Sequence, residues 1–404
     1  MSEPDHYGAR CTKTRHHKEA ALSVMRAQAS VNAYQETTLA NLPEFEIVIE
    51  EPGYVREPVW MIGPRSYFAD RAVPFVEISA TPARRFDGES LRIDGKNEVR
   101  STQSFLGRRE QILRRFRSRK IPNVEEGVYY VDLRIFGLGN WSHFLNMALP
   151  LSIFIKNYVS KLGGRTSVII NEKVMRPITE LLDIFSMDYI STDYSVKAPL
   201  IDIKFSNGSL SGSVIHKRAR DFLAPVSGDF DLLDGRIPLN KYNKVFLNRK
   251  APSRFLINNE EVKKFLTEIG YQELFMDEYG ADEQIAIIRQ ASSIVAIHGA
   301  ALAPLIFREL RHGPFNFIEI APPGLVDPFF REMVASLSCK YRMVRGVPDA
   351  SMVDDAYLNV ESPSMIFSLK HSSRQFKIDL LSLSFALQSM DDEEFPNRLI
   401  YEAI

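Results

Sequence analysis

The sequence has few cysteines and no long apolar run. Cys11 and Cys339 are its two cysteines among 404 residues, so no disulfide framework forms and a reducing compartment is favoured. No segment approaches the roughly 20 consecutive apolar residues that span a bilayer, and the polar first residues do not resemble a signal peptide. We therefore expect a soluble, cytoplasmic protein that contacts at most the inner face of a membrane.

The sequence also lacks an excess of charge of either sign. Its 50 lysine and arginine residues oppose 51 aspartate and glutamate residues, and the net charge of −1 gives no global attraction to nucleic acid. A content of 45% hydrophobic and 25% charged residues is ordinary for a soluble globular protein. The length allows two large domains with extensions. We expect no nucleic-acid partner.

Two common ligand motifs are incomplete. Gly137-x-Gly139 follows a predicted strand, but Ser142 stands where a dinucleotide-binding motif has its third glycine. His16-His17 lies near Cys11 without a second ligand pair at zinc spacing. No Asp-x-Asp pair stands at the end of a predicted strand, where it could hold a divalent ion. We expect no bound cofactor and no metal.

Hydrophobic patterning predicts an α/β protein. We divide the chain into a polar tail (1–44), a β-rich extension that contains a basic segment (45–124), a first Rossmann-like unit (125–238), a second Rossmann-like unit (239–350) and a C-terminal segment with a helix that packs back on the domains (351–404). In the extension we predict strands at Phe45–Glu50 and Pro74–Ser79 and a tight hairpin turn at Asp94-Gly95.

The basic segment 108–120 has two interpretations. It contains seven arginine and lysine residues against Glu110, with Ile112, Leu113 and Phe116 among them. Such a stretch suits a solvated helix or linker, and it also suits contact with an anionic membrane surface or a phosphate-bearing acceptor. Both interpretations remain open from the sequence.

The first Rossmann-like unit should contain strands and helices in alternation. We predict a strand at Val128–Ile135, a helix from Trp141 that Pro150 bends, and a helix at Arg176–Phe185. The remaining predicted strands are Val168–Ile170, Tyr189–Ile190 and Ile201–Phe205.

The second unit has the same alternation. A helix that Asn258 or Asn259 caps should end at Gly270, and the small residues after His298 should begin another helix. A further helix is predicted at Asp282–Ala291, and the predicted strands are Val245–Leu247, Glu273–Phe275, Ile294–Ile297, Phe317–Ile320 and Tyr341–Val344. Strands that alternate with helices predict a parallel sheet, and ligands bind at the carboxyl ends of such strands.

Several chemically suitable residues fall at that edge of the second unit. The cations Arg249, Lys250 and Arg254 follow one strand and can bind phosphate. His298-Gly299-Ala300-Ala301 offers backbone N–H groups at a helix start, beside side chains too small to block an anion. Glu319 ends the neighbouring strand and can accept hydrogen bonds from ribose hydroxyls. The combination predicts a nucleoside diphosphate site, although a histidine at a strand end is often only structural.

The same residues carry a resemblance to a known family. Asn248-Arg249-Lys250, His298-Gly299-Ala300-Ala301-Leu302 and Glu319-Ile320-Ala321-Pro322-Pro323 resemble the C-terminal half of glycosyltransferase family 61. Asn140-Trp141-Ser142-His143, followed by Leu149-Pro150, resembles the N-terminal signature of that family. The resemblance covers about residues 125–345.

The resemblance implies an architecture and an activity. The fold would be of the GT-B type: two Rossmann-like domains face each other across a cleft, and the C-terminal one holds the sugar nucleotide. The activity would be an inverting hexosyl or pentosyl transfer without an obligatory metal. The donor would be a nucleoside-diphosphate sugar, with a UDP-sugar favoured, and the acceptor a glycan or lipid-linked glycan of capsular or other surface polysaccharide synthesis.

The sequence departs from the family pattern at one position. The family usually has an acid four residues after the signature histidine, where this sequence has Met147. An inverting transfer needs a group that takes the proton of the acceptor hydroxyl, and His143 is the best remaining candidate. Asn140 and Asn146 would lie on the acceptor side. His143 has an equally good structural interpretation, as a residue that holds the helix start by hydrogen bonds. Because Met147 stands in place of the acid, a non-catalytic relative that binds nucleotide or glycan in a polysaccharide-assembly complex is the alternative.

Overall fold

A computed structural model describes a large part of the chain. The described residues are 45–50, 59–64, 74–79, 90–107, 124–205, 241–250, 254–322, 329–334, 337–347 and 375–391. The predicted polar tail and the basic segment 108–120 lie outside these residues.

The described strands form two sheets. They are β1 (Phe45–Glu50), β2 (Val59–Pro64), β3 (Pro74–Ser79), β4 (Ser90–Ser101), β5 (Val128–Asp132), β6 (Arg165–Ile170), β7 (Asp188–Ser191), β8 (Lys197–Phe205), β9 (Lys244–Leu247), β10 (Gln272–Leu274), β11 (Ser293–Ile297), β12 (Phe315–Ala321) and β13 (Cys339–Arg345). Their order is β1-β4-β8-β5-β6-β7 in the first sheet and β10-β9-β11-β12-β13-β2-β3 in the second.

Both sheets are mainly parallel at their centres. In the first sheet β5 pairs parallel with β6 and β8, and β6 pairs parallel with β7, whereas β4 pairs antiparallel with β1 and β8. In the second sheet the pairing is parallel from β10 through β9, β11, β12 and β13 to β2, and only β3 is antiparallel. The predicted α/β class and the parallel sheet of the second unit are therefore confirmed, while the two-domain arrangement across a cleft stays a prediction.

The helices connect these strands. They are α1 (Trp141–His143), α2 (Leu149–Lys161), α3 (Arg176–Ile184), α4 (Asn259–Glu268), α5 (Ala281–Gln290), α6 (Phe329–Val334) and α7 (Leu380–Asp391). Short 3₁₀ helices lie at Leu133–Phe136, Met276–Glu278, Ala300–Phe307 and Leu310–His312, and a π-helical turn at Phe144–Ala148 joins α1 to α2. No helix among the described residues is long and apolar enough to cross a membrane.

The second sheet is covered on both faces, which explains its nearly continuous apolar strands. One face carries Phe246, Val295 and Ile318, which pack with residues of α4 and α7. The other face carries Val245 and Ile294, in one core with α5 and the 3₁₀ helix Ala300–Phe307. This second core continues into the first sheet and α2, so the described parts of the two units share buried apolar surface.

Two polar contacts also join the units. The indole N–H of Trp141 donates to Oε1 of Gln284 over 3.0 Å, and both side chains are buried. Oε2 of Glu180 accepts from the backbone N–H of Ala281 over 2.8 Å, at the start of α5, where Gly280 has no side chain that could cap the helix. The start of α1 and the start of α5 are thereby fixed relative to the opposite unit.

The extension differs from its prediction in one respect. Asp94 and Gly95 lie inside the continuous strand β4 and pair with Asp202 and Ile201 of β8, so the predicted hairpin turn is wrong. Both residues pair in regular register with β1 as well, and the irregularity of register in β4 begins only after Gly95, between Gly95 and Val99. β1 and β4 join the first sheet and β2 and β3 join the second; the domain boundaries themselves stay predictions.

The helical hydrogen bonding is irregular just before Pro150. The backbone N–H of Leu149 bonds to the carbonyl of Phe144, five residues back, and Pro150 follows without a donor of its own. The structure shows a π-helical turn, Phe144–Ala148, directly before the helix that contains Pro150, and such turns are frequent at functional sites. The bend itself stays a prediction. The predicted strand Val128–Ile135 similarly ends at Asp132, where a 3₁₀ helix begins.

Candidate functional site

Two arginines converge on one carbonyl oxygen at the carboxyl edge of the second sheet. Nη1 of Arg249 and Nη1 of Arg254 donate to the backbone carbonyl of His298 over 3.2 and 3.0 Å. Arg249 follows β9 and His298 follows β11, and these strands are parallel neighbours. The topology therefore brings together residues that are about 50 positions apart in the sequence, as predicted.

Buried Asn248 shapes the chain at the end of β9. Its Oδ1 accepts from the N–H of Arg249 over 2.7 Å, and its Nδ2 donates to Oδ1 of Asn259 over 2.8 Å and to Oε1 of Glu273 over 2.6 Å. A side chain held at three points leaves the turn little freedom. Asn248 therefore fixes the direction in which the Arg249 side chain leaves the strand.

Gly299 makes room for the Arg249 guanidinium. A Cβ atom at position 299 would lie 1.9 Å from Nη1 of Arg249 and 3.5 Å from Nη1 of Arg254. Any side chain there would displace Arg249 from the His298 carbonyl. The glycine predicted to leave space for an anion thus leaves space for the cation as well.

Arg249 carries a charge that no described carboxylate balances. Burial, together with the neighbouring charge of Arg254, lowers the pKa of Arg249 from its usual value to about 10. The group is still protonated at neutral pH. Among the residues that the structure describes, Arg249 forms no ion pair with aspartate or glutamate. A half-buried cation of this kind is stabilised when an anion binds.

His298 is the first of three linked polar side chains. Its Nδ1 bonds to Oε1 of Glu319, and Oε2 of Glu319 accepts from the hydroxyl of Tyr341 over 2.7 Å. The ring of Phe330 meets the His298 ring edge-on, with the ring centroids 5.2 Å apart. Because Nδ1 faces a carboxylate, it carries the proton, and Nε2 is the nitrogen left for a ligand.

Glu319 therefore has a different position from the one the sequence suggested. It lies two residues before the end of β12, its exposed fraction is 0%, and both carboxylate oxygens are engaged. Direct contact with a ribose does not fit this burial. The carboxylate instead holds and orients the ring of His298, a residue that is also buried.

Lys250 points away from the two arginines. Its Nζ donates to Oε1 of Glu278 over 2.7 Å, lies 3.8 Å from Oδ2 of Asp277 and stacks over the ring of Phe275. The Glu278 carboxylate raises the pKa of Lys250. The structure thus brings Arg249, Arg254 and His298 together and places Lys250 in a separate, exposed ion pair.

The helix after His298 is of the 3₁₀ type. It covers Ala300–Phe307, and its first internal bond is from the N–H of Leu302 to the carbonyl of Gly299. Ala300 and Ala301, at its start, are partly exposed. The first N–H groups of any helix lack partners within the helix, so the predicted backbone donors stand beside Arg249.

The N-terminal signature residues lie at the start of α1. Oδ1 of Asn140 accepts from the N–H of Ser142 over 2.9 Å and caps the helix. The exposed ring of His143 bonds through Nδ1 to the carbonyl of Phe136 over 3.2 Å. A carbonyl only accepts, so Nδ1 carries a proton and Nε2 of the neutral ring is the basic nitrogen.

Asn146 and Met147 are both buried in the π-helical turn. Met147 is part of the shared core. Nδ2 of Asn146 donates to the carbonyl and the hydroxyl of Ser142 over 2.9 and 3.1 Å, while Oδ1 has no hydrogen-bond partner. The turn and α1 both contact the 3₁₀ helix Ala300–Phe307. The N-terminal signature therefore packs against the same short helix that begins beside Arg249.

No group of three or more His, Cys, Asp or Glu side chains among the described residues is arranged to hold a metal ion. In the pair of His298 and Glu319, one carboxylate oxygen bonds to the histidine ring and the other accepts from the Tyr341 hydroxyl.

A comparison with protein-family models decides the classification. The model described as Glycosyltransferase 61 matches residues 34–313, which is well over half of the chain. The chain belongs to this family. A search of the curated proteins finds no match. The family assignment supports a glycosyltransferase, with a sugar donor and a glycan acceptor in general terms, and it confirms the resemblance seen in the sequence.

The matched region does not include the whole site of this family 61 chain. It contains His143, Arg249, Arg254 and His298, but it ends before Glu319 and Tyr341. Sequence analysis missed Tyr341 as a site residue. The register of β12 and β13 pairs Glu319 with Met343, so Tyr341, two residues earlier, lies on the same side of the sheet as Glu319. Only this register could have revealed it.

Proposed function

We propose that the protein is an inverting, metal-independent glycosyltransferase that uses a nucleoside-diphosphate sugar, with a UDP-sugar favoured. The acceptor is a glycan or lipid-linked glycan, and the process is the synthesis of capsular or another surface polysaccharide. The observation that carries the donor assignment is the half-buried Arg249, which lies beside Arg254 without a described carboxylate partner.

The donor diphosphate binds at the carboxyl edge of the second sheet. Arg249 and Arg254 donate charge-assisted hydrogen bonds to its oxygens, and the N–H groups of Ala300 and Ala301 add backbone donors. Nε2 of His298, oriented by Glu319, is the third side-chain group at this edge. As the sugar leaves, negative charge grows on the diphosphate, and these groups stabilise it.

His143 is the proposed base. The acceptor hydroxyl attacks the anomeric carbon, the bond from that carbon to the diphosphate oxygen breaks, and Nε2 of His143 takes the hydroxyl proton. The hydrogen bond from Nδ1 to the Phe136 carbonyl holds the ring in the tautomer that this step needs. One displacement inverts the configuration at the anomeric carbon, and the cationic side chains replace the metal that other transferases use.

The packing of the signature on the donor helix supports this division of roles. α1 and the π-helical turn contact the 3₁₀ helix Ala300–Phe307, whose start is the proposed diphosphate site. Asn140 and Asn146 belong to the acceptor side of this contact. We leave Lys250 out of the donor site because its ammonium group pairs with Glu278.

The test compares two adjacent residues of equal charge. UDP should raise the melting temperature of the wild type, because it binds only the folded protein. Arg249→Ala should weaken UDP binding about tenfold or more, since a hydrogen bond to a charged group contributes roughly 1.5–3 kcal/mol. Lys250→Ala, which removes the same charge one residue away, should bind UDP like the wild type.

Two results would overturn the proposal. One is that no nucleoside diphosphate at millimolar concentration shifts the melting temperature. The other is that Lys250→Ala weakens UDP binding as much as Arg249→Ala does, which would mean that only the general charge matters. Binding without sugar transfer to any glycan acceptor would favour the non-catalytic alternative, for which the buried Met147 in place of an acid is the motivating observation.

A further inference from the structure

Arg254 has an unusual backbone conformation. Its φ is +55°, one of two positive values among the described residues other than glycine. An L-residue with a side chain is strained in the left-handed region and persists there only when its surroundings hold it. In this conformation the Arg254 guanidinium reaches the His298 carbonyl. The contacts of the residues that follow Arg254 therefore bear on how this conformation is held.

A short segment near the C-terminus makes that contact. The N–H of Phe376 donates to the carbonyl of Phe255 over 3.1 Å, and the N–H of Ile257 donates to the carbonyl of Phe376 over 2.8 Å. Leu256 and Phe376 form a parallel β-bridge, and both side chains are buried. The residues directly after Arg254 are thus paired to the C-terminal segment.

Asn258, two residues after Leu256, extends this pairing with its side chain. Its Nδ2 donates to the carbonyl of Ile378 over 2.9 Å, and its Oδ1 accepts from the N–H of Ile378 over 3.0 Å. The sequence predicted Asn258 as a helix cap, and it does stand directly before α4, but its side chain does not cap the helix. It is used to bind the backbone of the C-terminal segment.

The other side of the segment is fixed to the sheet edge. The N–H of Val347 donates to the carbonyl of Lys377 over 2.7 Å, and Gly346 lies directly under the Phe376 ring. A Cβ atom at position 346 would lie 2.2 Å from that ring. Residues 376–378 are therefore held between the end of β13 and the chain after Arg254.

We propose that the segment Phe376–Ile378 is a positioning element of the donor site, which holds Arg254 in the conformation that binds diphosphate. Phe376 and Asn258 act through Arg254 and touch no substrate. The inference rests on the proposed function, because it assumes that Arg254 binds phosphate. The segment lies beyond residue 313, where the family match ends, whereas Arg254 and Asn258 lie within the matched residues.

The test is a double-mutant cycle with two ligands. Phe376→Ala and Asn258→Ala should each weaken UDP binding by about fivefold and leave the binding of uridine, which has no phosphate, unchanged. In the Arg254→Ala background the same substitutions should have no further effect on UDP. Phe376→Leu should restore part of the UDP affinity. Leu383→Ala, which removes an equally buried side chain of α7 from the same core, is the control for lost stability.

The outcomes separate the inference from the function on which it rests. If Arg254→Ala binds UDP like the wild type, the proposed role of Arg254 is wrong. If Arg254→Ala is impaired but Phe376→Ala and Asn258→Ala bind UDP normally, the positioning role is overturned and the donor site stands. Equal losses for UDP and uridine, matched by Leu383→Ala, would also overturn it, because they would indicate a general loss of structure. Asn258→Ala keeps the test valid if Phe376→Ala does not fold.

Discussion

The carboxylate of Glu319 joins His298 to Tyr341. One oxygen bonds to Nδ1 of His298, and the other accepts from the Tyr341 hydroxyl over 2.7 Å. Because Glu319 is fully buried, it acts on a ligand through the side chains that it holds, and His298 is the one at the proposed donor site. The arrangement resembles the way in which a buried acid fixes the tautomer and orientation of a functional histidine in other sites.

The first prediction concerns this link. Glu319→Gln keeps the shape of the side chain but removes the charge that orients His298, so UDP binding should weaken by about tenfold, the lower end of the effect expected when the partner of a functional histidine is removed. Tyr341→Phe leaves the carboxylate on His298 and should cost less. Titration calorimetry with UDP gives both values. A Glu319→Gln protein with wild-type affinity and a changed melting temperature would assign the carboxylate a structural role only.

The second prediction concerns Gly299. Gly299→Ala adds a Cβ atom only 1.9 Å from Nη1 of Arg249, which is far closer than two non-bonded atoms can approach. The guanidinium must move away from the His298 carbonyl, and UDP affinity should fall about as far as in Arg249→Ala, roughly tenfold. Gly107→Ala is the control, since nothing lies within 4 Å of its added Cβ.

The measurement is again UDP affinity, with the melting temperature recorded beside it. Unchanged affinity in Gly299→Ala would mean that the Arg249 side chain finds an equally good position, and that its contact with the His298 carbonyl is dispensable. Addition of Gly299→Ala to Arg249→Ala should cause little further loss, because both changes remove the same contact.

The third prediction concerns metal ions. Arg249 and Arg254 supply positive charge where the diphosphate is proposed to leave, so EDTA should change neither UDP affinity nor the rate of sugar transfer. The measurement is a transfer assay with and without chelator. Full loss of transfer in EDTA, restored by manganese or magnesium, would show that the arginines do not suffice.

Local patterning predicted the strands and helices of the second unit well. Apolar runs bounded by turn residues identified β9, β11 and β12. Gly270 follows the end of α4 with a φ of +90°, as expected for a left-handed residue at a helix C-terminus. The turn predicted at Asp94-Gly95 is wrong because both residues pair in regular register with β1 and β8, and the local sequence does not reveal these partner strands.

The site was predictable where the topology alone decides the position. Arg249 and His298 follow adjacent parallel strands, so their proximity follows from the strand order. The direction of a side chain does not follow from it. Lys250, next to Arg249, pairs with Glu278, which lies in the 3₁₀ helix Met276–Glu278 nearly 30 residues later in the sequence. This partner could not be identified from the residues around Lys250. The backbone pairing of Phe376 with Phe255 joins residues about 120 positions apart and has no local signal.

The last prediction separates the two halves of the proposed site. His143→Ala should lower the rate of sugar transfer by about 10²–10⁴-fold, the usual contribution of a general base, while UDP affinity stays within a few-fold of the wild type. The reason is geometric: Nδ1 of the exposed His143 ring is bonded to the Phe136 carbonyl, and its Nε2 is the available basic nitrogen. Arg249→Ala should show the opposite pattern, with weak UDP binding. A purely structural His143 would lower stability and UDP affinity together. A folded His143→Ala protein with wild-type turnover would mean that the proton goes to another group, or that the chain binds its ligands without transferring sugar.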